Sequence, residues 1–207
     1  DEYHAVQKIL KECHISKLKE ISQLGHLNSN RVNNMSKTEL LKLQGSLHGE
    51  IAKGNKDFEI LKSISLAAEA TKVDHAIELL ESQGVDQAHA YMEKLQQQAT
   101  TSSVRAVKNL VEDTNFKTAF VKARSLVEKK AEHPKMEALK NILRDEIKKH
   151  HDRLIVFTNY RDTAVKIKKM LDTEDISSDI FVGQAKKNGV GLSQKQQKEM
   201  LAQFSTS

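Results

Sequence analysis

Cysteine, proline and tryptophan are almost missing from this 207-residue sequence, which has one Cys13, one Pro134 and no tryptophan. A single cysteine excludes an internal disulfide and any multi-cysteine zinc site. Cys13 stands at helical spacing from Val6, Ile9 and Leu10, the pattern of a core thiol rather than a nucleophile. A reducing, intracellular setting agrees with that use. Aromatic residues make up only 4%, too few for an all-β core or for a surface that stacks on unpaired bases. No apolar run is long enough to span a bilayer, and the start lacks a signal-peptide pattern, so no membrane partner is expected. The chain opens on Asp1 rather than methionine and is expected to be a segment of a longer one. What remains is 38% apolar and 29% charged, a soluble composition rich in helix formers.

The formal net charge is +5, and it is unevenly placed. Residues 117–149 hold ten cations, among them Lys122, Arg124, Lys129 and Lys130, and five acids. The excess within this stretch equals that of the whole chain. A local excess of cations is what a phosphate-tracking surface needs, because each neutralised phosphate releases counterions. The alternative reading of the same residues is a solvated helix surface.

The first two-thirds reads as consecutive helices. Val6, Ile9, Leu10, Cys13, Leu18, Ile21 and Leu24 form a helical stripe that Gly25 ends. Ser36-Lys37-Thr38-Glu39 is a capping box, in which serine caps one helix-end amide and glutamate reaches back to another. The helix it opens stops at Gly54. A longer one is expected over 57–83, with Phe58, Leu61, Ile64, Ala68, Val73, Ile77 and Leu80 buried. Asp86, Ser102 or Ser103, and Thr114 are the expected caps of three more. None carries uniform heptads, which favours a packed bundle over a coiled coil.

At His133-Pro134 the pattern changes. Proline suits the first position of a helix, expected over 134–150. Short apolar runs at 154–158 and 180–182 read as strands, separated by a helix bearing Ala164, Ile167, Met170 and Leu171. The loop 183–192 leads to Ser193, the expected cap of a last helix with Met200, Leu201 and Phe204 inward. Strand, helix, strand, helix at this spacing signals a parallel α/β sheet. The expected fold is therefore mostly α: a helical bundle over 1–132, then a truncated α/β segment over 133–207 with a short parallel sheet.

Several chemistries are excluded. No G-x-x-x-x-G-K-[ST] phosphate loop occurs, so this segment is not expected to bind ATP in the manner of a motor. Gly189-Val190-Gly191 lacks the lysine and reads as a flexible loop. Asp145-Glu146 reads as a solvated face. His150-His151-Asp152 superficially imitates a metal site, but adjacent side chains diverge, and no metal is expected. Ser16-x-x-Lys19 lacks the partner motifs of a β-lactamase. No catalytic nucleophile, base and oxyanion set assembles.

Four blocks follow in order: His133-Pro134-Lys135-Met136-Glu137-Ala138-Leu139-Lys140, Ile155-Val156-Phe157-Thr158-Asn159-Tyr160-Arg161-Asp162-Thr163-Ala164, Phe181-Val182-Gly183-Gln184-Ala185, and Gly191-Leu192-Ser193-Gln194-Lys195-Gln196-Gln197. Together they resemble the second RecA-like domain of the Hef and Fanconi-anaemia M family of superfamily 2 DNA helicases. Residues 73–95 resemble that family's helical insert. The resemblance implies a fragment of an ATP-driven translocase acting on forked or branched DNA, cytoplasmic and of archaeal type. It also implies a missing first RecA-like motor domain as partner, and ATP and Mg bound by the parent; no cofactor is expected in this fragment. The turn 157–161 would correspond to the motif that contacts the nucleic-acid backbone. The Walker A and DExH elements are absent, and the later glycine-rich and arginine-finger motifs would lie beyond Ser207, so the fragment alone is expected to hydrolyse no ATP.

Independently, turns at the strand C-termini of an open α/β sheet are where ligands bind, and capped helix N-termini there present amides to phosphates. Thr158, Asn159, Arg161, Gln184, Ser193 and Gln194 occupy such places and all carry hydrogen-bond donors. Turn formation and capping alone would also account for Thr158 and Ser193. Two alternatives remain: an RNA helicase of the RIG-I-like type, and a non-enzymatic helical module that binds proteins.

Overall fold

A computed structural model describes residues 2–55, 57–131, 133–150, 153–183 and 191–206. It divides into two compact units, Asp1–Ala131 and Glu132–Ser207. The first unit holds α1 (Glu2–Gln23), α2 (Lys37–Ala52), α3 (Phe58–Ser82), α4 (Val85–Thr101), α5 (Arg105–Glu112) and α6 (Thr114–Glu128), with a 3₁₀ turn at Ser29–Arg31. The second holds α7 (Pro134–His150), α8 (Arg161–Asp172) and α9 (Gln194–Thr206). No helix among the described residues is long and apolar enough to cross a membrane.

The local signals act as their chemistry requires. Ser36 caps α2 by accepting from the Glu39 amide, while the Glu39 carboxylate accepts from the Ser36 amide. Other helix starts differ from expectation by one or two residues. α4 is capped by Gly84, whose φ of 100° is a conformation that L side chains rarely adopt, so Asp86 lies in the first turn instead. Val104, not a serine, precedes α5. Asp113, not Thr114, caps α6, its Oδ1 accepting from the amides of Asn115 (2.9 Å) and Phe116 (3.1 Å).

Two apolar clusters fill the bundle, and α1 and α3 run through both. One joins Leu10 and Cys13 of α1 and Val73 and Leu80 of α3 to Met92, Leu110, Phe116 and Ala119. The other joins Leu18 and Ile21 to Val32, Leu40, Leu66 and Ala70. On α3 the buried stripe runs back through Ser63 and Ile60, leaving Phe58 and Leu61 72% and 48% exposed. The helical period counted from Ala70 and Val73 selects Ile60, which corrects their expected burial.

At the seam between the clusters lies a buried ionic hub. Lys17 Nζ sits 2.6 Å from Asp113 Oδ2 and 3.2 Å from Glu69 Oε2. Ser65 and Asn109 donate to the other oxygen of Glu69, at 3.1 and 3.4 Å, and the Cys13 thiol donates to Asp113 Oδ1. Burial works against the Lys17 ammonium, but its hydrogen bonds to Asp113 and Glu69 outweigh this and hold its pKa above the ordinary lysine value. Burial likewise opposes the Asp113 carboxylate, yet Lys17 and the Phe116 amide hold its pKa below the ordinary value. Burial, and then the Asp113 charge, push the Cys13 thiol up to about 12, so it stays protonated and unreactive at neutral pH.

A depressed carboxylate pKa contributes stability that is present above its unfolded value and lost as pH falls through its folded one. The bundle's urea midpoint should therefore fall as pH drops below the ordinary aspartate value of 3.8, and fall less steeply in Asp113→Asn. An acid slope unchanged by that substitution would place the titration elsewhere.

In the second unit the expected parallel sheet is not formed: no strand occurs among the described residues, and 154–158 and 180–182 are non-helical segments without a ladder. A parallel strand needs hydrogen-bonding neighbours and cover on both faces. Here Val156 packs against the cluster of Leu143, Ile167 and Leu171, whereas Ile155 and Phe157 are 64% and 91% exposed. In each segment half-buried residues, Val156 in the first and Ile180 and Val182 in the second, stand next to exposed ones. Leu201 and Phe204 of α9 are also exposed rather than inward, and the Arg153 guanidinium lies 5.8 Å over the Phe204 ring.

Candidate nucleic-acid interface

The starts of α8 and α9 come to one carbonyl. Arg161, the first residue of α8, donates from Nη2 to Gly183 O at 3.4 Å, and the Leu192 amide just ahead of α9 donates to the same oxygen at 3.4 Å. Helix starts carry amides without intrahelical partners and the positive end of the dipole, so two such starts beside a guanidinium have the donors and the charge that suit a phosphate. α9 is capped reciprocally: Ser193 Oγ accepts from the Gln196 amide at 3.3 Å, and Gln196 Oε1 accepts from the Ser193 amide at 2.9 Å. α8 has no side-chain cap. Its entry is shaped by Thr158, whose Oγ1 accepts from the Tyr160 amide at 3.5 Å. Thr158, Asn159, Ser193 and Gln194 are exposed and Arg161 is half-buried. Gln184 lies outside the described residues, as do His151 and Asp152. Among the described residues no group of three metal-ligating side chains assembles.

Sequence patterns assign no role to Gln197, whose Nε2 donates to Val182 O at 3.0 Å and Leu192 O at 3.3 Å. A glutamine on a short polar helix carries no distinguishing signal, because both partners are main-chain atoms.

In the bundle, Lys122 and Arg124 project from α6, with Lys129 and Lys130 just after it, and all four are exposed. They are not equivalent. Arg124 pairs with Glu128 at 2.9 Å and Lys129 with Glu2 at 2.9 Å, whereas Lys122 and Lys130 make no ion pair among the described residues. Elsewhere in the basic stretch Lys117 pairs with Glu112, and Lys140 and Arg144 both pair with Glu174. The hydrogen bond from Lys140, which exceeds the opposing effect of desolvation, holds the Glu174 carboxyl below its ordinary range together with Arg144. Acids from outside the stretch, Glu2, Glu112 and Glu174, thus offset part of the excess counted along the sequence.

Residues 2–133 match the family model described as "Putative ATP-dependent RNA helicase, helical bundle". The chain also superposes on the Hef helicase domain of Pyrococcus furiosus with a TM-score of 0.84 and 37% identity, covering 99% of this chain and 41% of that one. This chain belongs to the Hef-like superfamily 2 helicases. Its curated relatives include the "Putative ATP-dependent RNA helicase MJ1505" of Methanocaldococcus jannaschii, 34% identical over 99% of this chain. Another is the ATP-dependent DNA helicase MPH1 of Pyricularia oryzae, 41% identical over 36% of this chain and 7% of that protein. The mph1 helicase of Neurospora crassa is 28% identical over 71% of this chain and 13% of its own length. The Hef-like chain spans 25% of the length of the Methanocaldococcus relative.

Proposed function

We propose that this Hef-like chain supplies the nucleic-acid backbone grip of an ATP-dependent DNA translocase that works on forked or branched DNA. In this reading residues 1–132 are the helical insert and 133–207 open the second RecA-like motor domain. ATP and Mg are bound by other parts of the parent protein, the first motor domain among them, and the fragment alone hydrolyses no ATP. The observation that carries the reading is the convergence of Arg161 and the α9 entry on Gly183. Such a site holds phosphates and reads no bases, which suits a translocase. A second reading, duplex RNA as substrate, is favoured by the name of the relative that matches 99% of this chain. Titrating forked DNA, duplex DNA and duplex RNA at one salt concentration separates them. Tightest binding to the fork is expected, and tightest binding to duplex RNA would favour the second reading instead.

The bundle's cations make a secondary track. Lys122 and Lys130 should count for more than Arg124 and Lys129, whose charge is already offset by Glu128 and Glu2. Changing Lys122 and Lys130 together to glutamine should lower the salt slope of DNA binding by about two. The matching Arg124 and Lys129 pair should lower it less. Equal effects would mean that the surface ion pairs open freely on binding.

A further inference from the structure

Gln197 is turned toward the main chain although it stands in the first turns of an exposed helix. A primary amide nitrogen carries two hydrogens, and Gln197 Nε2 meets a carbonyl with each, Val182 O at 3.0 Å and Leu192 O at 3.3 Å. These carbonyls stand ten positions apart in sequence, one on each side of the Gly183–Leu192 hydrogen bond. They also flank the Gly183 carbonyl, which receives Arg161 Nη2 and the Leu192 amide. With the Val182–Gly183 peptide bond these contacts close a ring through Gln197 and Leu192, and the guanidinium docks on its Gly183 carbonyl. Bidentate phosphate binding depends on the orientation of the guanidinium fork as well as on its charge.

We propose that Gln197 is a positioning residue for the phosphate grip, setting the Gly183 carbonyl and through it the Arg161 guanidinium. The inference rests on the reading of the α8 and α9 starts as a nucleic-acid backbone site. Gln197 itself neutralises no phosphate, being uncharged. Any change it makes in the salt dependence of binding must therefore act through a cation.

The test is binding of the 207-residue chain to a short fluorescent duplex DNA over a range of salt concentrations. Arg161→Met should weaken binding by about fivefold and lower the salt slope by about one. Gln197→Met, similar in length but without donors, should do the same, and the double variant should bind no more weakly than Arg161→Met alone. An unchanged slope in Gln197→Met, or losses that simply add, would overturn the proposal while leaving the grip itself standing. An Arg161→Met variant with unchanged affinity and slope would remove the grip, and the role of Gln197 with it. If Gln197→Met unfolds the second unit, seen as lost hydrogen-exchange protection in α8, Gln197→Lys decides. Its ammonium can donate to both carbonyls, so adding Arg161→Met in that background should still cost the full fivefold and one unit of slope. No further loss from Arg161→Met there would overturn the proposal.

Discussion

Lys17→Met should destabilise the helical bundle by roughly 3 kcal/mol, read as faster hydrogen exchange at the core amides 70–80 of α3. The Lys17 side chain is 11% exposed, Glu69 2% and Asp113 17%, and Lys17 lies against both carboxylates. Removing one partner of a buried ion pair typically costs about 3–5 kcal/mol, because the desolvated charge left behind has no compensation. The low end applies because the hub borders a groove of about 180 Å³, lined by Lys17, Glu20, Lys62, Ser65, Leu66, Glu69 and Asn109, through which water can reach it. Removing all the charges together should be much milder. Lys17→Met with Glu69→Met and Asp113→Asn leaves no buried ion, and asparagine can still cap α6. A triple variant as unstable as the single one would show that packing, not uncompensated charge, dominates the site.

Phe116→Ala is expected to cost still more, about 3–5 kcal/mol. Phe116 has no exposed surface and lies in the cluster shared by α1, α3, α4, α5 and α6. Its removal leaves a cavity that five helices must close at once, so relaxation recovers little. Val121 on the same helix is 63% exposed, and Val121→Ala should stay within about 0.5 kcal/mol. The same exchange protection at 70–80 reads both. A loss below about 1 kcal/mol for Phe116→Ala would mean that α6 rearranges into the void.

Features set by neighbouring residues are legible in the sequence alone. The capping box at Ser36 and Glu39 is complete within four positions, and Pro134 opens its helix because a missing amide costs nothing there. The hub is not legible in that way, since Lys17 and Asp113 stand 96 positions apart and either alone resembles a surface charge. Of the candidate grip, Thr158, Asn159, Arg161, Ser193 and Gln194 can be placed at helix starts by motif and turn chemistry. Gly183 and Gln197 act through main-chain carbonyls, and such contacts leave no mark on residue type. Ile155, Val156 and Phe157 suggest a sheet because they have strand propensity, but propensity does not supply a neighbouring strand. Counting along the sequence overstates the basic stretch for a related reason, as Glu2 and Glu174 reach it only through folding.

The 2.9 Å ion pair between Glu2 and Lys129 has a consequence for how such a bundle is carried. It marks where the beginning of the first helix lies beside the end of the sixth, a contact held by the buried cluster that contains Tyr3, Val6, Ala123 and Leu126. The two ends of the six-helix body therefore stand together. To a host polypeptide it weighs no more, geometrically, than a surface loop. A body whose two ends stand together is of the kind that can be gained or lost between neighbouring elements without separating them.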